Sequence, residues 1–142
     1  MQSNFTQTLI KVKSSLKNLP DGLKKYVKLN FFDSNMYLSV QVPETNQEKE
    51  QMIRHLYKGE INDFRCEEQP YKDTDGTEYM YHVYSIKFRY NTIKFGIDTG
   101  TDCSQLPFYV YISSKYGNKN TYFKNESEMF LEVLTLVILN QF

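Results

Sequence analysis

Hydrophobic and polar positions alternate most strictly between Met80 and Ile97. The even positions of the first half are Met80, His82, Tyr84, Ile86, Phe88 and Tyr90, and the odd positions of the second are Ile93, Phe95 and Ile97. Side chains alternate across a strand, so each set lies on one face. The pattern predicts an antiparallel hairpin at the centre of a sheet. A two-residue loop at Asn91-Thr92 would oppose Tyr90 with Ile93, Phe88 with Phe95 and Ile86 with Ile97, three apolar pairs on one face. The other face then carries Tyr79, Tyr81, Ser85, Lys87 and Arg89 from one strand and Lys94 and Asp98 from the other, with Arg89 opposite Lys94. Like charges directly opposed are unfavourable. That pair is therefore expected in water or against an anionic partner.

The flanking patterns complete the set. Phe5, Leu9, Val12 and Leu16 recur at helical spacing and predict a helix from about Asn4 to Asn18, stopped by Leu19-Pro20-Asp21-Gly22. Val27, Leu29 and Phe31, then Met36, Leu38, Val40 and Val42, read as two strands joined at Asp33-Ser34-Asn35. Thr45 and Glu48 form a capping-box pattern ahead of a helix with the apolar stripe Met52, Ile53 and Leu56, and Gly59 reads as its C-cap. Residues 61–68 read as a strand whose Phe64 and Cys66 oppose Ile86 and Tyr84 if Gly76 supplies the left-handed residue of a bulged turn. Phe108, Val110 and Ile112 alternate with Tyr109, Tyr111 and Ser113 in a further strand, and residues 116–120 read as a loop. Asn125 and Glu128 cap a last helix that is apolar nearly all round. Such a helix is the core helix of a monomer, or else part of it meets a second copy in a homodimer.

The order α-β-β-α-β-β-β-β-α predicts one α+β domain over residues 1–142: an antiparallel sheet of five to six strands with helices on one face and the other face wet. The length suffices for a core without disulfides.

Composition changes this picture little. Lysine plus arginine and aspartate plus glutamate are both 17, so bulk charge favours no polyanionic partner, although the first quarter is basic and residues 44–78 are mostly acidic. The absence of an apolar N-terminal stretch, and of any span long enough for a bilayer, predicts a cytoplasmic protein with no membrane partner. Cys66 and Cys103 have no metal-ligand spacing and read as buried thiols. No sequence pattern calls for a cofactor or a metal.

Candidate chemistry is sparse. The string Phe95-Gly96-Ile97-Asp98-Thr99-Gly100-Thr101 resembles the catalytic loop of aspartic proteases, in which Asp-Thr-Gly follows a hydrophobic strand. The resemblance covers about eight residues and implies Asp98 as the aspartate that activates water in a carboxylate pair. The glycine-rich flap and the later hydrophobic-hydrophobic-glycine segment of that family do not follow. Asp, Thr and Gly are also ordinary turn residues. The histidines, His55 and His82, stand in no nucleophile or metal motif, and His82 falls on the face expected to be buried.

The wet face is more informative. Tyr79, Tyr81, Tyr109 and Tyr111 should share it with Lys87, Arg89 and Lys94. Tyrosine and arginine are the usual anchors of protein interfaces. Aromatics among cations on a sheet also hold single-stranded nucleic acid. With balanced charge and no RNA-recognition motif, the expectation is a small non-catalytic protein-binding module, of the inhibitor or immunity type, that occludes a partner's surface. Nucleic-acid binding is the alternative.

Overall fold

Two long strands, β3 (Ile61–Lys72) and β4 (Glu78–Phe88), pair antiparallel along nearly their whole length and lead a five-stranded sheet. The structure, a computed structural model, describes residues 12–32, 35–72, 76, 78–97, 107–140 and 142. The chain forms two compact units. One runs to Gly59 and takes in Phe130–Phe142, and the other is Glu60–Met129.

In the first unit, residues 12–17 are helical and belong to α1, the helix expected from Asn4, whose first part lies outside the described residues; Val12, Ser15 and Leu19 are buried. The stretch read as a turn runs into a one-turn helix, α2 (Asp21–Lys24), with Pro20 at its N-cap at φ −57°. Proline's fixed φ suits a helix start as well as a stop. Strands β1 (Val27–Phe32) and β2 (Asn35–Val40) pair Val27 with Val40, Leu29 with Leu38 and Phe31 with Met36, while Asn35, read as part of the connecting loop, pairs with Phe32, and the second strand ends at Val40 rather than Val42. They form a separate two-stranded sheet.

Helix α3 (Asn46–Leu56) begins where the capping box places it. Thr45 Oγ1 accepts a hydrogen bond from the Glu48 N–H at 3.1 Å, and Met52, Ile53 and Leu56 are all buried. Its C-cap is Tyr57, not Gly59. Gly59 serves another purpose, because a side chain there would run into the Tyr57 ring.

Tyr26 Oη donates to Glu48 Oε2 at 2.7 Å, and Thr45 Oγ1 donates to Oε1 at 2.9 Å. These bonds, the one from Tyr26 foremost, hold the Glu48 carboxyl below its ordinary 4.5. The same bond, with burial second, pushes the Tyr26 phenol from 10.0 up to about 12. A lowered acid stabilises the fold above its unfolded value and ceases to as pH falls through its folded one. A raised phenol stabilises below its unfolded value and ceases to as pH rises through its folded one. Stability should therefore hold between about 4.5 and 10 and decline on either side. Glu48→Gln should flatten both limbs in urea titrations across pH, and an unchanged profile would show that the pair is not coupled to folding.

In the second unit, β5 (Thr92–Ile97), β6 (Phe108–Ser114) and β7 (Gly117–Phe123) continue the sheet in the order β3-β4-β5-β6-β7. Phe64 meets Ile86 and Cys66 meets Tyr84, in the expected register, and Gly76 has φ +89°. Strand β7 replaces the loop read over residues 116–120. Gly117-Asn118-Lys119-Asn120 has little intrinsic strand preference, and pairing with β6 overrides it.

The β4–β5 register differs from expectation. Tyr84 pairs with Phe95, Ser85 with Lys94, Ile86 with Ile93 and Lys87 with Thr92, and the Phe88 N–H donates to the Asn91 carbonyl at 2.8 Å. The turn is therefore Arg89-Tyr90. Each partner moves by four residues, an even number, so every side chain that stays in the ladder keeps its face. Lys94 now lies between Ser85 and Tyr111 rather than opposite Arg89, which removes the like-charge pair. Tyr90 leaves the apolar set and is exposed in the turn, and Met80 is also exposed.

Ile86, Phe88, Ile93, Phe95 and Val110 are buried on one face, together with Tyr84, whose ring stacks on Phe95 with centroids 4.8 Å apart. Burial, and then the neighbouring Cys66 thiol, drive the Tyr84 phenol far above its ordinary pKa. Helix α4 (Glu126–Leu139) starts at Asn125, whose Oδ1 accepts from the Glu128 N–H at 2.9 Å. Its Phe130, Val133, Leu134, Val137 and Ile138 are buried in the single chain. Asn140, at φ +54°, ends it in the left-handed conformation. The architecture is α+β with antiparallel sheets, in the predicted element order plus α2 and β7. Among the described residues, no helix is long and apolar enough to cross a membrane.

Candidate functional site

The open face of the five-stranded sheet takes the odd positions of β3, β4 and β6 and the even positions of β5 and β7. Pairing lays them out in rows. One row runs Arg65, Ser85, Lys94, Tyr111, Asn120, and the next runs Asp63, Lys87, Thr92, Ser113, Asn118. Directly opposed side chains in such rows have Cβ atoms roughly 5 Å apart. The rows enclose a shallow trough of about 570 Å³, open to solvent, walled on one side by Tyr109 and Tyr111 and on the other by Arg65, Glu67 and Gln69. Lys87 and Lys94 rise from its floor and are exposed, while Ser85 and Thr92 are half-buried between them.

Most of the residues named from the sequence meet here. Lys87, Lys94, Tyr109 and Tyr111 line the trough, and both tyrosines are half-exposed. Tyr81 lies on the same face beyond the trough, where its hydroxyl donates to Gln69 Oε1 at 3.0 Å. Tyr79 pairs with Tyr71 in the ladder, and its side chain lies outside the described residues. Arg89 does not join the group. It sits in the exposed β4–β5 turn, with its guanidinium 5.2 Å from the centroid of the Tyr90 ring, because the register shift moves residue 89 out of the ladder. Asp98, the candidate catalytic aspartate, and Cys103 lie outside the described residues.

The contribution of β3 was missed. Asp63, Arg65, Glu67 and Gln69 alternate with Phe64 and Cys66, and that period-two pattern was the available signal. Arg65 Nε is 2.6 Å from Asp63 Oδ2, which fixes the guanidinium at the rim of the trough. Among the described residues, Lys87 and Lys94 make no ion pair. Tyr122 on β7 faces Tyr109 and extends the aromatic wall.

The described histidines and cysteine stand elsewhere. His82 and Cys66 belong to the other face of the sheet. His82 is half-exposed rather than in the core, with Nε2 3.3 Å from Glu68 Oε1, because it lies where β4 has already run past its ladder with β5. Cys66 is likewise only half-buried and forms no disulfide. His55 is exposed on α3. What the trough offers is three cations, one carboxylate, hydroxyls and flat aromatic surface, a set suited to binding. No protein-family model, curated protein or solved structure matches the chain.

Proposed function

We propose that this chain is a non-catalytic binding module that docks on another protein through the open face of its five-stranded sheet, and so occludes a surface of that partner as an inhibitor or immunity-type protein would. The observation that carries this reading is the half-exposed Tyr109–Tyr111 pair beside Lys94 along the trough. Tyrosine gives a large contact area with few rotors to freeze, and a paired strand holds its backbone rigid, so little entropy is lost on docking. Mixed charge on the same face, with Glu67 among Arg65, Lys87 and Lys94, suits a protein surface better than a row of phosphates.

The test is affinity capture from the native host with the wild type and with a Tyr109→Ala/Tyr111→Ala double variant whose circular dichroism is unchanged. A protein retained by the wild type should bind the variant at least about tenfold more weakly, the effect of losing anchors worth 1.4 kcal/mol or more. Equal retention would reject this face as the docking site. Retention of oligonucleotides that falls steeply with salt would favour nucleic acid instead.

A further inference from the structure

Ser85 lies between Arg65 and Lys94 on the neighbouring strands, with Lys87 two residues further along β4, all on one face. Three cations and one carboxylate, Glu67, line the trough, with Asp63 at its rim opposite Lys87, in a chain whose formal charge is zero. Lys87 and Lys94 have no carboxylate partner among the described residues. Arg65 is held by Asp63 through Nε alone, and a guanidinium has four further N–H donors on its Nη nitrogens. Asp63 thus sets the fork in place without exhausting it. The Ser85 hydroxyl supplies a neutral donor at the centre.

We infer that the partner presents to this face an otherwise apolar segment with one acidic side chain, and that its carboxylate is received over Ser85 by Arg65, Lys87 and Lys94. The inference rests on the reading of the face as a protein-docking surface. An acidic side chain meets the geometry better than a phosphate backbone. Glu67 stands two residues from Arg65 on the same face, so a second anion one row along would be repelled. A lone carboxylate flanked by apolar residues leaves Tyr109 and Tyr111 to cover the uncharged part of the segment. Charge-assisted hydrogen bonds of this kind are roughly twice as strong as neutral ones.

The experiment uses two blocked pentapeptides as probes, Gly-Leu-Glu-Leu-Gly and its glutamine twin, followed by amide resonances of the full chain at low ionic strength. The glutamate peptide should shift the amides of Ser85, Lys94 and Tyr111 and bind at least about fivefold more tightly than its twin. Lys94→Gln, or Lys87→Gln as a second exposed variant, should abolish that preference. Equal binding of the two peptides, or shifts confined to other residues, would overturn the inference. So would decathymidylate binding the same amides more tightly than the glutamate peptide. If the tyrosine double variant still loses its protein partner while the two peptides bind alike, the docking face stands and the acidic partner falls.

Discussion

Phe95→Ala is expected to lower the stability of the fold by about 3–5 kcal/mol, the usual cost of removing a buried phenylalanine side chain. Phe95 has no accessible surface and sits on β5, the middle strand of five. It pairs with Tyr84 on one side and Val110 on the other, both buried. Its ring lies nearly parallel to that of Tyr84, at an interplanar angle of 11°. Alanine would remove the transfer energy of the ring, the stacking interaction and the close packing around both. Small domains have about 5–15 kcal/mol in total, so urea midpoints should fall sharply. Phe95→Leu keeps most of the volume and should cost less. A loss below about 1 kcal/mol for the alanine variant would show that the site collapses freely, against the close packing of such a core.

Gly96→Val should cost about 1–3 kcal/mol, the range for forcing extra atoms into a packed site. A Cβ on Gly96 would lie 3.0 Å from the His82 carbonyl oxygen and 3.2 Å from the Val83 Cα. Both obstacles are backbone of the adjacent strand, which cannot swing aside as a side-chain end can. Valine's preference for strands works in the opposite direction by up to about 1 kcal/mol, and the clash outweighs it. Gly22 has open space around it, so Gly22→Ala is the matched control and should be neutral or slightly stabilising. A Gly96→Val protein as stable as the wild type would mean that β4 and β5 separate there at no cost. That result would also undermine the trough, since Gly96 pairs with Tyr109 beside it.

Much of the candidate site was legible from alternation alone. Alternation puts Tyr109 and Tyr111 on the wet face once Val110 between them is buried, and it is. Lys87 and Lys94 followed from Ile86, Phe88, Ile93 and Phe95 in the same way. Arg65 and Glu67 were equally readable, but only once β3 is seen to add its own odd positions to the face. β7 was not readable, because Gly117-Asn118-Lys119-Asn120 has the composition of a loop and becomes a strand through its partner β6.

What the residues determined by themselves is the face on which each side chain lies, because the period of a strand is two and survives any even shift of register. The caps at Thr45 and Asn125 were determined in the same local way, since a cap's hydrogen bond spans three residues. Tertiary structure alone decided which cation stands next to which. Registers four residues apart satisfy the same alternation, and the choice between them, which placed Lys94 beside Ser85 and left Arg89 in the turn, is made by pairing across strands.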